Sequence, residues 1–260
     1  MTPDRLAQTL LDAVRGLRFE ATPDAMRGGA ALSHFPSLDL ALIAFPQNAP
    51  PTYTNVLFSR EHPQGFIAEI APAAGAVQNI AYLADRTDAQ GRSDAWLPDA
   101  DWSRLHFEPL AGHAPHRFVA PYPASLIKLM VAVGAARLVD AGACTWQTSL
   151  AYAGRTRSVA DWAEDMIVFS CNDSTSALVA LLHAQGAIAR FGEGADEHEV
   201  RNALHEAFQS QSLTTLRLAD TRADGGWGNA AGAGVGHLQM TAWDSARLLW
   251  LLDARRTSAG

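Results

Sequence analysis

The sequence predicts an α/β protein of the α+β type, with an antiparallel sheet flanked by helices and a helical subdomain beside it. Two observations predict this class. Residues 1–120 contain a short amphipathic segment followed by strand-like stretches separated by Pro and Gly, whereas residues 121–260 contain mainly helical patterns. The 260 residues are 48% hydrophobic and 18% charged, so the chain can bury one or two cores.

The strand-rich part, residues 1–120, begins with apolar residues at helical spacing, which predict an amphipathic helix: Leu6, Leu10, Leu11, Val14 and Leu17. This segment lacks the apolar block of a signal peptide, so the chain as given is not predicted to be exported. A protein from which a leader had been removed would have the same sequence as this chain. The sequence therefore does not predict the cellular compartment. Four strands are predicted next, at Leu38–Phe45, Asn55–Phe58, Phe66–Ile70 and Asn79–Leu83. Residues 85–121 show no clear periodicity and are predicted to be irregular.

The helical part, residues 121–260, contains segments that are apolar at helical spacing. Helices are predicted at Ser125–Asp140, Val159–Leu182, Glu197–Phe208 and Thr241–Leu252. Ser158, followed three residues later by Asp161, nearly matches a capping box and predicts the start of the second helix. Glycines concentrated between residues 220 and 236 predict a loop, because their spacing fails the dinucleotide-binding pattern. Trp227 fits an ordinary surface loop there.

Composition excludes several classes of partner. With 27 acidic and 20 basic residues the net charge is −7, and no basic run could neutralise phosphates, so nucleic acid is not expected. No transmembrane segment is predicted, since no apolar tract reaches roughly 18 residues. The two cysteines and the pair His198–Glu199, which is followed by Asn202, fail metal-site spacings, so neither a metal nor a cofactor is predicted. A small-molecule or peptide substrate is expected, and the oligomeric state stays open.

The strongest chemical signal is the placement of the single lysine. Lys128 follows Ser125 by three positions on a helix that is apolar nearly all round, so the two side chains share a face. Burial of an ammonium is costly and lowers its pKa, which lets the amine act as a base toward a neighbouring hydroxyl. The alternative is a lysine whose stem packs while its head reaches solvent, with the serine a bystander.

A second polar group interrupts the next apolar helix. Ser170 and Asn172 place a hydroxyl and a carboxamide two positions apart, and buried polar groups need partners. If the two helices converge, the hydroxyl can pass a proton to a leaving nitrogen and the amide can orient a substrate or hold the lysine. Cys171, which lies between them, is interpreted as a small buried filler.

These residues resemble the motifs of one family, the penicillin-binding proteins and serine β-lactamases, with D-Ala-D-Ala carboxypeptidases among them. Residues 123–130, Pro-Ala-Ser-Leu-Ile-Lys-Leu-Met, resemble its nucleophile motif, and Ser170-Cys171-Asn172 resembles its Ser-x-Asn motif. Residues 240–249 look like the helix after the omega loop of class A β-lactamases. The resemblance implies a β-lactamase/transpeptidase-like fold whose C-terminal strands are missing from this sequence.

The resemblance also implies roles for the motif residues. Ser125 would form the acyl-enzyme, Lys128 would be the acylation base, Ser170 would relay a proton and Asn172 would bind substrate. The backbone amide of Ser125, at a helix N-terminus, would be one oxyanion donor. The third motif, Lys-Thr-Gly, is absent, because the single lysine is already used and residues 256–258, Arg-Thr-Ser, follow the preceding helix too closely.

The loop at residues 221–236 contains Asp224 but lacks the glutamate with which class A enzymes activate water for deacylation. An Asp beside glycines is typical of a turn, although Asp224 could act as a substitute base. The sequence thus predicts a serine hydrolase or acyltransferase that acts on an amide or ester, with weak deacylation of β-lactams. The alternative is a catalytically impaired binding or scaffolding protein that retains the fold.

Overall fold

The computed structural model describes residues 2–25, 28–32, 34–84, 100–192, 198–227 and 238–253. Within them the protein is a mixed α/β structure with six helices and several small, mainly antiparallel sheets. The helices are α1 (Pro3–Gly16), α2 (Ile127–Asp140), α3 (Val159–Val168), α4 (Asn172–Ala184), α5 (Ala203–Ser210) and α6 (Ala242–Leu252). The strands are β1 (Pro23–Asp24), β2 (Ala30–Ala31), β3 (Leu38–Ala44), β4 (Thr52–Phe58), β5 (Phe66–Ile67), β6 (Ile80–Leu83), β7 (Phe107–Pro109), β8 (His116–Phe118), β9 (Ser149–Tyr152), β10 (Arg155–Ser158), β11 (Ile188–Phe191), β12 (His198–Asn202), β13 (Arg217–Leu218) and β14 (Leu238–Gln239).

The first three-stranded sheet has the order β3-β4-β5 and is antiparallel. Its register places Leu38 opposite Phe58 and Ala44 opposite Thr52. Helix α1 packs against this sheet, with Leu11 in the same buried cluster as Phe58. The predicted N-terminal helix and the first two predicted strands are therefore confirmed, because their apolar faces have each other to bury against.

The second three-stranded sheet has the order β7-β6-β8, with β6 antiparallel to β7 and parallel to β8. The prediction that residues 85–121 are irregular was wrong for these two outer strands. Each has only three residues, too few to show an alternating pattern, and each is held by pairing with the buried strand β6. Residues 85–99 lie outside the described residues. One continuous antiparallel sheet was expected, whereas the described strands form six separate sheets.

Helices α2, α3 and α4 pack around the core of the helical part. The central, fully buried side chains of this core come from all three helices: Met130, Val131, Trp162, Met166, Leu178 and Leu182. Gly134 lets α2 approach closely, since a Cβ atom there would lie 2.8 Å from Leu182 Cδ2. The apolar surface that α2 presents nearly all round is thereby buried, as its pattern predicts.

The predicted helix Val159–Leu182 is two helices. The start at Ser158 is confirmed, because its hydroxyl accepts from the Asp161 amide at 3.1 Å and the Asp161 carboxylate accepts from the Ser158 amide at 3.2 Å. Helix α3 then ends at Val168, and α4 begins at Asn172. Ser170 between them has φ 55°, a left-handed conformation that an α-helix cannot contain.

The helix predicted at Glu197–Phe208 begins later than expected. Residues 198–202 instead form β12, which pairs with β11, and α5 starts at Ala203. The Asn202 side chain caps the helix by accepting from the amides of Leu204 and His205. Glu197 lies outside the described residues. Pairing with β11 outweighs the helical pattern of residues 198–202, since strand formation depends on the available partner.

Helix α6 joins the two parts of the molecule. The helix predicted at Thr241–Leu252 is confirmed with Thr241 as its N-cap, and Trp243 is fully buried in a cluster with Leu57 and other residues of the strand-rich part. The partly buried Asp39 carboxylate of β3 accepts from the Ala242 amide at 2.8 Å, and desolvation raises the pKa of Asp39 to about 6. None of the helices among the described residues is long and apolar enough to cross a membrane.

Candidate active site

Ser125 lies on an exposed turn that leads into the buried helix α2. A 3₁₀ turn over Ala124–Leu126 precedes α2, and Ala124 is held at φ 46°, a strained conformation for a residue with a Cβ atom. One turn further on, Lys128 is only 4% exposed. The sequence therefore places an exposed hydroxyl directly above a buried amine.

The break between α3 and α4 supplies the partners of this lysine. The Asp165 carbonyl accepts from the amides of Phe169 and Cys171, which closes α3. The left-handed conformation of Ser170 turns the chain sharply, so that its hydroxyl and carbonyl oxygens both face Lys128. The sequence pattern predicts that Ser170 and Asn172 are buried within a helix. In the structure both residues are exposed.

The four predicted side chains meet at the lysine nitrogen. Lys128 Nζ lies 3.1 Å from Ser125 Oγ, 2.8 Å from Ser170 Oγ and 2.9 Å from Asn172 Oδ1. The Ser170 carbonyl oxygen is nearer still, at 2.7 Å, and the Ser170 hydroxyl donates to Ser125 Oγ at 3.0 Å. The alternative in which the lysine head reaches open solvent is thus contradicted, although the catalytic roles of these residues stay a prediction.

Burial of Lys128 shifts the protonation equilibrium of its amine toward the uncharged form. Desolvation lowers the pKa of the amine, and the Cys171 sulfur partly opposes this shift. No Asp or Glu is among its hydrogen-bond partners in the described part of the chain, and the two carbonyl oxygens around it carry no formal charge. A neutral amine has two N–H donors and one lone pair. The carbonyls of Ser170 and Asn172 can accept both donors, which leaves the lone pair for the Ser125 hydroxyl.

A cavity of about 190 Å³ opens beside this cluster. The residues that line it come from the α2 turn, the start of α4 and the glycine-rich loop: Tyr122, Ala124, Ser125, Ile127, Lys128, Asn172 and Trp227. The cavity combines apolar and aromatic walls with a few polar groups, as sites for small ligands do. A bound molecule can therefore touch the Ser125 hydroxyl and the Asn172 amide at the same time.

Sequence reasoning missed two aromatic residues of this cavity. Trp227 was assigned to an ordinary surface loop, and Tyr122 was not singled out, yet both line the cavity together with Asn172. Burial raises the pKa of Tyr122, and a hydrogen bond from the Trp227 side chain lowers it. One sequence signal indicates the role of Trp227, namely its position inside a glycine-dense loop. A large apolar side chain in such a loop needs another surface to pack against.

Asp224 lies outside the cavity wall and serves a turn. Its carboxylate, 74% exposed, accepts from the Gly226 amide at 2.8 Å, and its carbonyl accepts from the Tyr152 hydroxyl. This geometry fits the expected turn role rather than that of a base. Among the described residues that line the cavity, none carries a carboxylate. Residues 228–237, which include His237 and most of the loop glycines, and residues 256–258 lie outside the described residues.

Comparison with known proteins adds no assignment. The chain matches no protein-family model, no curated protein and no solved structure. A search of the described residues for groups of three or more His, Cys, Asp or Glu side chains that could hold a metal ion finds none. Any function must therefore be argued from the chemistry of the site itself.

Proposed function

We propose that the protein is a serine hydrolase or acyltransferase that attacks an amide or ester through a Ser125 acyl-enzyme. The observation that carries the proposal is the buried Lys128 amine, which lies 3.1 Å from the Ser125 hydroxyl and within hydrogen-bond distance of the carbonyl oxygens of Ser170 and Asn172. An uncharged amine in this position can take the proton of a hydroxyl and thereby generate a nucleophile without a histidine.

Acylation then follows from the hydrogen bonds. The Lys128 lone pair takes the Ser125 proton while Ser125 Oγ forms a bond to the substrate carbonyl carbon. In this scheme the amide of Ser125, in the 3₁₀ turn that leads into α2, stabilises the developing oxyanion. Asn172, which shares the cavity with Ser125, is the group that orients the substrate.

The leaving nitrogen needs a proton when its bond to the carbonyl carbon breaks. Ser170 Oγ lies within 2.8 Å of Lys128 Nζ and 3.0 Å of Ser125 Oγ, so it can donate its own proton and recover one from the Lys128 ammonium. The proton taken from Ser125 thus reaches the leaving group, and Lys128 becomes neutral again. Ser125, Lys128 and Ser170 form one relay in this scheme.

The substrate class follows from the resemblance of the two motifs to those of penicillin-recognising enzymes. We propose a β-lactam or a D-Ala-D-Ala-like peptide as the acyl donor and a β-lactamase/transpeptidase-like arrangement of the fold. Because the described cavity wall has no carboxylate to activate water, hydrolysis of a penicilloyl ester is expected to be weak. A peptidase-like activity is favoured over an efficient β-lactamase.

A covalent label tests the assignment of the nucleophile. Incubation with a fluorescent penicillin should add one adduct per chain, and peptide mass spectrometry should place it on Ser125. The S125A variant should lose the adduct completely. The matched control is S149A, which removes an exposed serine hydroxyl on β9 and should label like the wild type.

Two outcomes would contradict the proposal. An adduct of equal abundance in S125A would assign the label to another residue. A folded wild-type protein that forms no adduct with any penicillin, fluorophosphonate or activated ester would instead support the binding or scaffolding alternative.

A further inference from the structure

The proposed relay depends on a backbone conformation that is unfavourable by itself. Ser170 has φ 55°, and a residue with a Cβ atom keeps a left-handed conformation only where surrounding contacts enforce it. The Asp165 carbonyl closes this turn by accepting from the Cys171 amide at 3.2 Å. Cys171 itself is partly exposed, so the expectation of a buried filler was wrong. The geometry of the relay therefore depends on what fixes the end of α3 and the start of α4.

Strand β10 contacts the chain on both sides of this turn through two arginines. Arg155 and Arg157 are two positions apart on the strand, so their side chains lie on the same face. Arg157 forms an ion pair with Asp165, near the end of α3. Arg155 pairs at 2.6 Å with Asp173, in the first turn of α4. Asp165 precedes Ser170 in the chain and Asp173 follows it, so one strand binds both flanks of the turn.

A buried tryptophan of α3 restricts both arginines. The guanidinium carbon of Arg155 lies 5.3 Å from the centre of the Trp162 ring, and that of Arg157 lies 5.4 Å from it. Trp162 is fully buried, and its indole N–H donates to the Leu150 carbonyl of β9 at 3.0 Å. A cation within about 6 Å of an aromatic ring centre is attracted to it. The arginines are thus held against α3 and lose less freedom when they pair with their carboxylates.

The two ion pairs differ in their exposure to solvent. The side chains of Arg157 and Asp165 are 32% and 23% exposed, whereas those of Arg155 and Asp173 are 47% and 62% exposed. Exposed pairs contribute little, because water and salt screen their attraction. The Arg157–Asp165 pair is therefore expected to have the larger effect on the turn.

We propose that Arg157 and Asp165 are positioning residues, whose ion pair holds the turn between α3 and α4 in the conformation that the proton relay needs. That the pair holds the turn stands on the contacts alone, and its effect on acylation rests on the proposed function. Neither residue is among those that line the cavity, so both act through Ser170. Loosening of the turn moves the Ser170 hydroxyl from its place 3.0 Å from Ser125 Oγ.

Amide hydrogen exchange tests whether the pair holds the turn, and it needs no substrate. The D165N variant keeps the backbone carbonyl that closes α3 but loses the charge that Arg157 binds. Exchange of the Cys171 amide, followed by NMR, should become at least about tenfold faster, while the amides of α2 exchange as in the wild type.

The matched control is E61Q, which weakens an ion pair of similar exposure in the strand-rich part. Arg117 and Glu61 are 36% and 29% exposed. This variant should leave the exchange of the Cys171 amide unchanged. An unchanged exchange rate in D165N, or an equal acceleration in E61Q, would overturn the proposal.

A comparison of two acyl donors tests the effect on the chemistry. Penicillin is an amide whose leaving nitrogen needs the proton of Ser170, whereas p-nitrophenolate leaves an activated ester without a proton. In D165N, acylation by penicillin should slow at least about tenfold and acylation by p-nitrophenyl acetate less than about threefold. R157Q and the double variant should match D165N, because each removes the same contact. D173N should show a smaller change in the same direction.

Loss of stability alone would slow both reactions to the same extent. Equal slowing of the two reactions in D165N, or a double variant slowed by the product of the two single effects, would overturn the positioning role. If the wild-type protein reacts with neither donor, the proposed function fails. The exchange measurement then still decides whether the ion pair holds the turn.

Discussion

Replacement of Lys128 by methionine should reduce the rate of Ser125 acylation at least about 1,000-fold, the upper range for loss of a general base. Methionine keeps an unbranched apolar stem of similar length, so the packing against Ile127 and the rest of α2 is preserved. The variant lacks the lone pair that lies 3.1 Å from Ser125 Oγ in the wild type. Among the described residues, the other hydrogen-bond partner of this hydroxyl is the Ser170 hydroxyl, which is not a base.

The measurement is the rate of adduct formation with a fluorescent penicillin, followed by intact-mass spectrometry. Circular dichroism and a urea unfolding curve would verify that K128M is folded. The partners left behind, Ser170 and Asn172, are exposed and can bind water, so a large loss of stability is not expected. Acylation of a folded K128M protein within tenfold of the wild-type rate would remove Lys128 from the role of base.

Hydrolysis of a penicillin should begin with a rapid burst and continue at a steady rate at least about 100-fold slower. The burst amplitude should approach one per active site, because acylation uses the relay of Ser125, Lys128 and Ser170. Deacylation needs a group that activates water beside the ester, and the described wall of the cavity offers no carboxylate. A β-lactam should therefore act as an inhibitor more than as a substrate.

Stopped-flow measurement of β-lactam ring opening, which occurs at acylation, would resolve the two phases. The D224A variant should change the slow rate little, because the Asp224 carboxylate is exposed and held by the Gly226 amide in a turn. Rapid hydrolysis without a burst would show that another group activates the water. The protein would then be interpreted as an efficient β-lactamase and no longer as a peptidase-like enzyme.

Much of the site could be predicted from the sequence because it depends on residues that are close together in the chain. The three-residue spacing of Ser125 and Lys128 on one helix fixes their proximity, and an apolar helix fixes the burial of the amine. The Ser-x-Asn pair supplied the partners, since polar groups that interrupt an apolar helix must meet others. The strand and helix patterns with enough residues to show a period, such as α1 and β3, were also predicted.

The features that could not be predicted depend on contacts distant in sequence. The left-handed turn at Ser170 divides one predicted helix into α3 and α4. Lys128 donates to the Ser170 carbonyl and the Cys171 amide donates to the Asp165 carbonyl, and both bonds hold the turned backbone. Strand β12 forms because β11 is available to pair with it. Trp227 lines the same cavity as Ser125 and Asn172, which are distant in sequence, and no local pattern indicates this.

The protonation of Lys128 can be measured directly, because it is the only lysine in the chain. Incorporation of lysine labelled with ¹³C at Cε gives one side-chain signal, and its chemical shift against pH gives the pKa. Desolvation should place this pKa below the ordinary 10.5, so that the fraction of neutral amine, and with it the acylation rate, increases as the pH rises through it. A pKa at or above 10.5 would show a permanently charged ammonium, and would contradict the claim that Lys128 takes the proton of Ser125.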